Sequence, residues 1–457
     1  MKPIPVIAVF DVGKTNKKLF LFDENYRIVF ERSARFLETE DEDGDPCENL
    51  ESLRLAVFDS LHEVFRKPQF EVKAINFSSY GASFVYLDED GRPLTPLYNY
   101  LKDYPDALAQ KIYDQYGGEE TFSKETASPA LGSLNSGLQL YRIKEEKPGI
   151  FKKIKYALHL PQYLSFLLSG QYYADRTSIG CHTTLWNFKD NGYHRWVSRD
   201  GVIDKMAPIC NSDEVFKSAF PGSPYVIGTG LHDSSAALIP YLFNFQDPFI
   251  LISTGTWSIS FNPFNHSELT LEELRADCLF YLSYKGTPVK ASRLFAGYEH
   301  ELQSKRIAAH FQVSTAKFRT VTTNWKTIKQ LKSVDAVKSF SIKTFSERDL
   351  SIFEDYETAY HQLIMDIVEV QYIATKRVMD ETNIHRIFVD GGFSKNPIYM
   401  SLLSEKFEHQ EVFAASMAQA TAIGTALSIH RHWNSNPIPN DLIELKFYAK
   451  NNFKTVS

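Results

Sequence analysis

At the midpoint of the chain runs Thr229-Gly230-Leu231-His232-Asp233-Ser234-Ser235-Ala236-Ala237-Leu238. The apolar residues 225–228 before it predict a strand, and the small residues after it favour a helix. We therefore expect Asp233 at a junction of strand and helix, where backbone N–H groups and the helix dipole favour a charged carboxylate. An acid in such a glycine-rich crevice is a candidate general base. The alternative is an ordinary N-cap, with Ser234 and Ser235 as local hydrogen-bonding partners.

The composition limits the class of protein. A chain of 457 residues predicts two or three domains, and 43% hydrophobic with 23% charged residues is typical of a globular protein. A net charge of −6 argues against nucleic acid or an anionic membrane surface as the main partner. The four cysteines lie far apart without a C-x-x-C pair, which argues against a zinc site and a disulfide framework and favours a reducing cytoplasm.

Targeting and membrane segments are not expected. Residues 1–10 have one lysine, a short apolar run and no small-residue cleavage site, unlike a signal peptide. No run reaches the ~18 apolar residues that a bilayer span needs. The most apolar longer segment, 156–169, is interrupted by His159, Pro161 and Gln162, and we predict a buried helix there.

A turn suited to phosphate opens the chain. Residues 6–10 predict a buried strand, residues 18–23 predict the return strand, and the turn reads Asp11-Val12-Gly13-Lys14-Thr15-Asn16. Backbone N–H groups, hydroxyls and an ammonium in one small loop favour a bound phosphate. A Walker A loop is excluded, because its template requires glycine where Ala8 stands and a helix after the loop. A polar hairpin turn is the alternative.

The same plan returns after the central segment. Residues 248–252 predict a strand, Ser253-Thr254-Gly255-Thr256 a hydroxyl-rich turn, and residues 257–261 a return strand. Two such hairpins, one opening each half of the chain, indicate two similar domains that face each other. Each would offer one turn to the same polyphosphate.

A Gly-Gly turn follows a later strand. After the apolar residues 386–389 comes Asp390-Gly391-Gly392-Phe393-Ser394-Lys395-Asn396, and Pro397 suits the first turn of the next helix. Glycines between strand and helix let the main chain approach a flat or anionic ligand. A tight turn needed only by the fold is the alternative. The spacing of apolar residues also predicts helices over 50–65 and 355–380.

Together these parts meet the requirements of phosphoryl transfer from a nucleotide to a hydroxyl group. The phosphates must be cradled and neutralised, the acceptor must be oriented, and a carboxylate must receive its proton.

The order and wording of the motifs resemble the FGGY carbohydrate kinases of the actin and hexokinase superfamily. Residues 11–18 resemble the first phosphate motif of that family, residues 253–258 the second, and residues 390–396 the adenosine motif. Gly230-Leu231-His232-Asp233 resembles the catalytic segment, with the His-Asp pair of rhamnulokinases. Residues 79–88 resemble the sugar-binding strand and hairpin.

The resemblance implies an α/β fold of two ribonuclease-H-like domains with an interdomain cleft. Residues 1–243 would form the N-terminal, sugar-binding domain and residues 244–457 the C-terminal, nucleotide-binding domain. It further implies a cytoplasmic kinase that uses ATP and Mg²⁺ to phosphorylate a terminal hydroxyl of a small ketose, of rhamnulose, fuculose or xylulose type. The expected partner is this small sugar, with neither nucleic acid nor a membrane, and a homodimer is left open.

The resemblance also implies residue roles. Asp233 would take the proton from the acceptor hydroxyl, and Asp11 would help to hold Mg²⁺. The residues that would contact the phosphates are Lys14, Thr15, Asn16, Lys18 and Thr256. Those that would contact the adenosine or the α-phosphate are Gly391, Gly392 and Asn396. The sugar would contact Gly81, Ala82 and His232 together with Asp233.

The chain departs from the family pattern at several positions. Lys14 stands where many members have Thr or Ser, and Lys18 stands in place of Arg, whose fork binds phosphate in a bidentate manner. The Asn-x-Gly-type segment of rhamnulokinases has no good match in residues 292–299, where Arg293 and Glu299 are candidate substitutes.

Two other function classes compete with a kinase. A non-catalytic sugar or nucleotide sensor on the same fold would need neither Asp233 nor Asp11. An actin-like assembly protein would form nucleotide-dependent polymers, and the His232-Asp233 pair gives that interpretation no support.

Overall fold

The computed structural model describes residues 2–14, 17–34, 38–334, 341–417 and 419–449. Within these ranges the secondary structure is mixed α/β, with one large sheet in each half of the chain. None of the helices in the described part is both long and apolar enough to cross a bilayer.

The strands of the first half precede residue 233: β1 (Ile4–Val12), β2 (Lys17–Asp23), β3 (Ile28–Ala34), β4 (Glu38–Glu40), β5 (Pro46–Glu48), β6 (Phe70–Ser79), β7 (Phe84–Leu87), β8 (Tyr156–His159), β9 (Ala174–Asp175), β10 (Trp186–Asn187), β11 (Gly192–Tyr193), β12 (Ile209–Cys210), β13 (Val215–Lys217), β14 (Val226–Gly228) and β15 (Leu231–His232). The second half contributes β16 (Phe249–Thr254), β17 (Ser258–Asn262), β18 (Cys278–Leu282), β19 (Pro288–Leu294), β20 (Arg386–Gly391), β21 (Glu411–Ser416) and β22 (Glu444–Tyr448).

The α-helices are α1 (Leu50–Phe65), α2 (Asp106–Gln115), α3 (Glu119–Thr126), α4 (Ser136–Glu146), α5 (Pro148–Lys153), α6 (Leu160–Ser169), α7 (Arg176–Ile179), α8 (Arg195–Arg199), α9 (Asp233–Asn244), α10 (Leu271–Arg275), α11 (Ala296–His310), α12 (Trp325–Val334), α13 (Tyr356–Met379), α14 (Pro397–Lys406) and α15 (Ala420–Ser428). Short 3-10 turns cover Gly132–Leu134, Ile203–Lys205, Lys317–Thr320, Thr344–Glu347, Leu350–Ile352, Phe393–Lys395 and His430–His432.

The two large sheets share one plan. In the first, β3, β2 and β1 form an antiparallel meander, and β6 and β14 continue from β1 as parallel strands. In the second, β19, β17 and β16 form the meander, and β20 and β21 continue from β16. We call the elements from β1 to α9, with the first large sheet, the first lobe. We call the elements from β16 to β22, with the second large sheet, the second lobe. The two predicted hairpins, over residues 6–23 and 248–261, are confirmed. The domain boundary after residue 243 stays a prediction.

Burial explains why the leading strands form. Val6, Ile7, Ala8 and Val9 have no exposed surface, so β1 is covered on both faces, as its unbroken apolar run predicts. Helix α1 begins and ends where the sequence predicts, and Asn49 caps it by accepting the N–H of Ser52. The predicted helix over 355–380 is confirmed as α13, with Asp355 as its N-cap.

The single helix predicted over 156–169 is wrong in its first turn. Residues 156–159 form β8, which pairs with β7 through Phe84 and His159, and the helix begins only at Leu160. Pro161 lies in the first turn of α6, where its missing N–H costs no helical hydrogen bond. The strand is decided by its partner β7, about 70 residues earlier in sequence, which local periodicity does not reveal.

The lobes meet through two helices of small residues. Helix α15 of the second lobe packs against α9 and also covers the first sheet, where Ala422, Ile423 and Ala426 join a core cluster with Ile7 and Val9. A Cβ atom on Gly424 would lie 1.9 Å from the carbonyl oxygen of Ala236. This glycine therefore lets the backbones of α9 and α15 approach closely.

We expect Gly424→Ala to lower the free energy of unfolding by about 1 to 3 kcal/mol, because the added methyl group overpacks a backbone contact that cannot move aside. Thermal unfolding followed by circular dichroism measures the change. The matched control is Gly149→Ala in α5, where the new Cβ meets no atom within 4 Å, and we expect it to be neutral or slightly stabilising. Equal melting temperatures for the two variants would contradict the assigned contact.

Candidate active site

Asp233 is the first residue of α9, directly after the short strand β15. Its Oδ1 accepts the N–H of Ser234 at 2.6 Å, and the side chain is 33% exposed. The predicted junction of strand and helix is confirmed, with His232 rather than Asp233 as the N-cap residue. The N-terminal helix dipole stabilises a negative charge at this position.

The strand before Asp233 is fixed by a glycine. Gly230 has a φ of +84°, and a Cβ atom there would lie 2.4 Å from the carbonyl oxygen of Pro161. Its N–H donates to the buried side chain of Asn76 in β6. Only glycine can bend the chain so closely against α6, which orients the acid that follows.

Asp11 lies near the end of β1, close to Asp233. In the first sheet Asp11 stands beside Ser78 of β6, and Leu231 of β15 stands on the other side of the same serine. Ser78 Oγ donates to Asp11 Oδ1 at 3.0 Å. Burial, followed by the charge of Asp233, raises the pKa of Asp11 to about 6. The carboxylate of Asp233 is therefore near enough to disfavour the charged form of Asp11.

The pair of carboxylates suits a divalent cation. Mg²⁺ prefers hard oxygen ligands and is usually held by one or two carboxylates together with substrate phosphates. Lys18, opposite Asp11 in β2, lowers the pKa of Asp11, but its Nζ lies 2.6 Å from Glu31. A cation at Asp11 would thus offset a charge that the neighbouring lysine only partly balances.

His232 is buried, and its Nε2 lies 3.2 Å from Asp233 Oδ1. Burial lowers its pKa, so the imidazole is neutral near pH 7. A Cβ atom on Gly81 would lie 2.7 Å from His232 Cδ2, so the glycine leaves the space that the ring occupies. Two more buried histidines lie close by, and burial lowers the pKa of His159 and of His182 to about 3.

The first phosphate-type turn is partly described. Lys14 Nζ lies 3.8 Å from the buried carboxylate of Glu48, while Thr15 and Asn16 lie outside the described residues. In the second turn, between β16 and β17, Gly255 and Thr256 are exposed. Gly297 at the start of α11 packs against this turn, since a Cβ atom there would lie 1.8 Å from the carbonyl oxygen of Gly255.

The Gly-Gly turn lies beside the second turn. Gly391 has a φ of +89°, its Cβ would lie 1.9 Å from the carbonyl oxygen of Thr254, and Gly392 donates its N–H to the same oxygen. Asn396 caps α14 by accepting the N–H groups of Ile398 and Tyr399, and donates to the hydroxyl of Tyr360.

A cavity of about 760 Å³ opens next to these glycines, and its volume suits a nucleoside. Gly255, Gly392 and Asn396 line it, with His300 and Phe318 among its aromatic walls.

Comparison with known proteins identifies the family. The profile of the "FGGY family of carbohydrate kinases, N-terminal domain" matches residues 6–221, and that of "Carbohydrate kinase FGGY, C-terminal domain" matches residues 246–437. The chain belongs to the FGGY family of carbohydrate kinases. The fold and the family predicted from the sequence are thereby confirmed.

Individual FGGY kinases are distant relatives. A rhamnulokinase of Halalkalibacterium halodurans is 26% identical over 162 residues, which are 35% of this chain and 34% of that protein. A gluconokinase of Bacillus subtilis is 25% identical over 231 residues, 48% of this chain and 44% of that protein. The aligned parts thus span about a third and less than half of these two relatives.

A solved structure shows the same fold over nearly the whole chain. A carbohydrate kinase from Novosphingobium aromaticivorans superposes with a TM-score of 0.79 at 21% identity, covering 98% of this chain and 95% of that one.

The structure brings most of the predicted FGGY site residues together in two places, one in each lobe. Asp11, Gly81, His232 and Asp233 come together around the end of β6. Gly391, Gly392 and Asn396 gather at the cavity of the second lobe. Ala82 is buried, and its carbonyl oxygen accepts the amide of Gln139. The roles of these residues toward ligands stay predictions.

Sequence reasoning missed Ser78 and Tyr281. Ser78 lies near the carboxyl end of β6, which runs parallel to β1, and the shared carboxyl edge of parallel strands is the signal that could have found it. Tyr281 stacks on His232 with ring centroids 5.5 Å apart and an angle of 11° between the planes. It lies inside the wholly buried strand Cys278–Leu282, whose sequence carries no mark of a site.

We expect Asp11→Asn to stabilise the metal-free FGGY kinase by about 3 kcal/mol at pH 7 to 8. The carboxyl has a pKa of about 6 in the folded chain and an ordinary value near 3.8 in the unfolded chain. The folded state therefore binds the proton more tightly, and the carboxylate destabilises it above pH 6. The advantage of the variant should vanish as the pH falls to 4, where the wild-type carboxyl is protonated.

Urea unfolding in EDTA at several pH values measures this difference. Asp247→Asn is the control, because Asp247 is 65% exposed and pairs only at the surface with Arg386, and we expect a change within about 0.5 kcal/mol at every pH. A pH-independent effect of Asp11→Asn would show that the raised pKa is wrong.

Proposed function

We propose that this chain is an ATP- and Mg²⁺-dependent kinase that transfers the γ-phosphate to a terminal hydroxyl of a small ketose. The observation that carries the proposal is the position of Asp233. Its partly exposed carboxylate lies at the start of α9 and interacts with the charge of Asp11. Asp233 directly follows β15, which pairs with β6. The alternative, a sensor without catalysis, gains no support from two acids brought together.

Asp233 would act as the general base. It would accept the proton of the attacking hydroxyl while its charge is stabilised by the N–H of Ser234 and the helix dipole. The neutral imidazole of His232 can donate an N–H to the same oxygen, which would hold the carboxylate in one orientation. Orientation of this kind is a large part of the catalysis of phosphoryl transfer.

Asp11 would hold Mg²⁺ beside the base. The ion, when bound, would neutralise charge on the transferred phosphate. The chain's own contribution is to present the Asp11 carboxylate in a fixed direction, which the hydrogen bond from Ser78 supplies. The raised pKa of Asp11 supports this role, because a divalent cation would relieve the cost of its burial.

The nucleotide would lie along both turns and the cavity. Lys14, Thr15, Asn16 and Lys18 would contact the phosphates from the first lobe and Thr256 from the second. Gly391, Gly392 and Asn396 would contact the adenosine or the α-phosphate. We further propose residues 1–243 as the sugar-binding domain and residues 244–457 as the nucleotide-binding domain.

The sugar would bind against Gly81, Ala82, His232 and Asp233. Rhamnulose, fuculose and xylulose types are the first candidates, and the gluconokinase among the relatives adds gluconate as a sugar acid to be tested. A cytoplasmic enzyme fits the four free, buried cysteines.

Release of ADP with a panel of these four substrates tests the proposal. We expect turnover of a ketose and a fall in kcat of about 10² to 10⁴ for Asp233→Asn, because the proton acceptor is lost. The KM for ATP should change little, since Asp233 is assigned to the acceptor. Asp247→Asn, at the surface beyond the end of α9, should match the wild type.

Three outcomes would contradict the proposal. Asp233→Asn behaving like the wild type on every substrate would remove the assigned base. ATP binding without turnover on a broad panel of polyols would favour a sensor. Nucleotide-dependent light scattering would favour an assembly protein.

A further inference from the structure

Strand β18 is the edge strand of the second sheet, and its outer edge bonds to the first lobe. Phe280 donates its N–H to the carbonyl oxygen of Ala127, and Leu282 donates its N–H to that of Gly180, at 3.0 and 3.1 Å. The carbonyl oxygen of Leu282 accepts the hydroxyl of Ser235 in α9. An exposed edge strand normally has unpaired backbone groups, and here the first lobe satisfies them.

Tyr281 lies between these two anchored residues. Its ring is buried and stacks on the imidazole of His232, whose Nε2 lies 3.2 Å from Asp233 Oδ1. The ring of His182 stands edge-on to both rings, with centroids 6.3 Å from each. Tyr281 of the second lobe thus covers His232 of the first lobe, and His232 in turn contacts Asp233, the assigned base.

Arg293 of the second lobe lies close enough to Tyr281 for its charge to act on the tyrosine hydroxyl and lower its pKa, against the larger effect of burial. This buried residue of β19 donates to both oxygens of Asp277, at 2.7 and 3.2 Å. The guanidinium of Arg293 also lies over the ring of Trp257, 5.2 Å from its centroid. Trp257 follows Thr256 directly, so this chain of contacts runs from the second phosphate-type turn to His232.

From these contacts we infer that Tyr281 is a positioning residue for Asp233. The stacked ring fixes the imidazole of His232, and the imidazole in turn fixes the carboxylate. Since Tyr281 belongs to the second lobe and His232 to the first, the base is held only while β18 is docked. This inference rests on the proposed kinase function, and it assigns Tyr281 no contact with substrate.

The test compares kcat and both KM values for Tyr281→Leu and Tyr281→Phe. We expect Tyr281→Leu, which loses the stacked ring, to lower kcat ten- to a hundredfold and to leave the KM for ATP within twofold. Tyr281→Phe keeps the ring and should stay within about threefold of the wild-type kcat. Tyr281→Met, which retains volume without a ring, should resemble Tyr281→Leu and serves if that variant does not fold.

Phe280→Leu is the matched control, because it removes a buried ring from the same strand. The Phe280 ring packs against Phe188 at 5.3 Å rather than against His232. Its kcat should stay within threefold of the wild type. If Phe280→Leu and Tyr281→Leu lower kcat equally, the loss comes from a weakened β18, and the inference is overturned.

Three further outcomes show whether this inference or the proposed function fails. A kcat within twofold of the wild type in Tyr281→Leu, with Asp233→Asn inactive, would refute positioning by Tyr281 and leave the kinase proposal intact. A loss as large in Tyr281→Phe as in Tyr281→Leu would assign the effect to the hydroxyl and also refute positioning by the ring. If Asp233→Asn is fully active, the assignment of Asp233 as the general base is refuted, and the inference about Tyr281 falls with it.

Discussion

The rest of the site depends on two carboxylates at one edge of a sheet. Strands β1 and β15 both run parallel to β6, one on each side, and they bring Asp11 and the His232-Asp233 pair to the same end of that strand. The charge of Asp233, added to burial, raises the pKa of Asp11. A fold that keeps both acids must compensate elsewhere, and here the compensation comes from the hydroxyl of Ser78, the N–H of Ser234 and the helix dipole.

Glycines allow close backbone contacts both between the two lobes and within the second lobe. Gly424 lets α15 lie against α9, Gly297 lets α11 lie against the second turn, and Gly391 lets β20 turn beside Thr254. In each case a Cβ atom would lie less than 2 Å from a backbone carbonyl oxygen. Gly424 therefore permits the contact between the lobes, while Gly297 lies in the wall of the cavity in the second lobe.

Burial also determines the protonation of the centre. His159, His182 and His232 are all buried, and burial lowers the pKa of each, so the region around Asp233 contains neutral rings instead of cations. Neutral imidazoles can pack on aromatic rings without the cost of a buried charge. This explains how the ring of Tyr281 can cover His232 so closely.

The sequence by itself determined the motifs and their order. Unbroken apolar runs gave the leading strands, spacing gave α1 and α13, and the Gly-Leu-His-Asp segment gave the junction at Asp233, because these signals are local. Tertiary structure alone decided that residues 156–159 form a strand, that Ser78 touches Asp11, and that Tyr281 covers His232. These contacts join residues at least 67 positions apart or residues of opposite lobes, and pairing across such separations depends on packing, which the pattern of one segment does not encode.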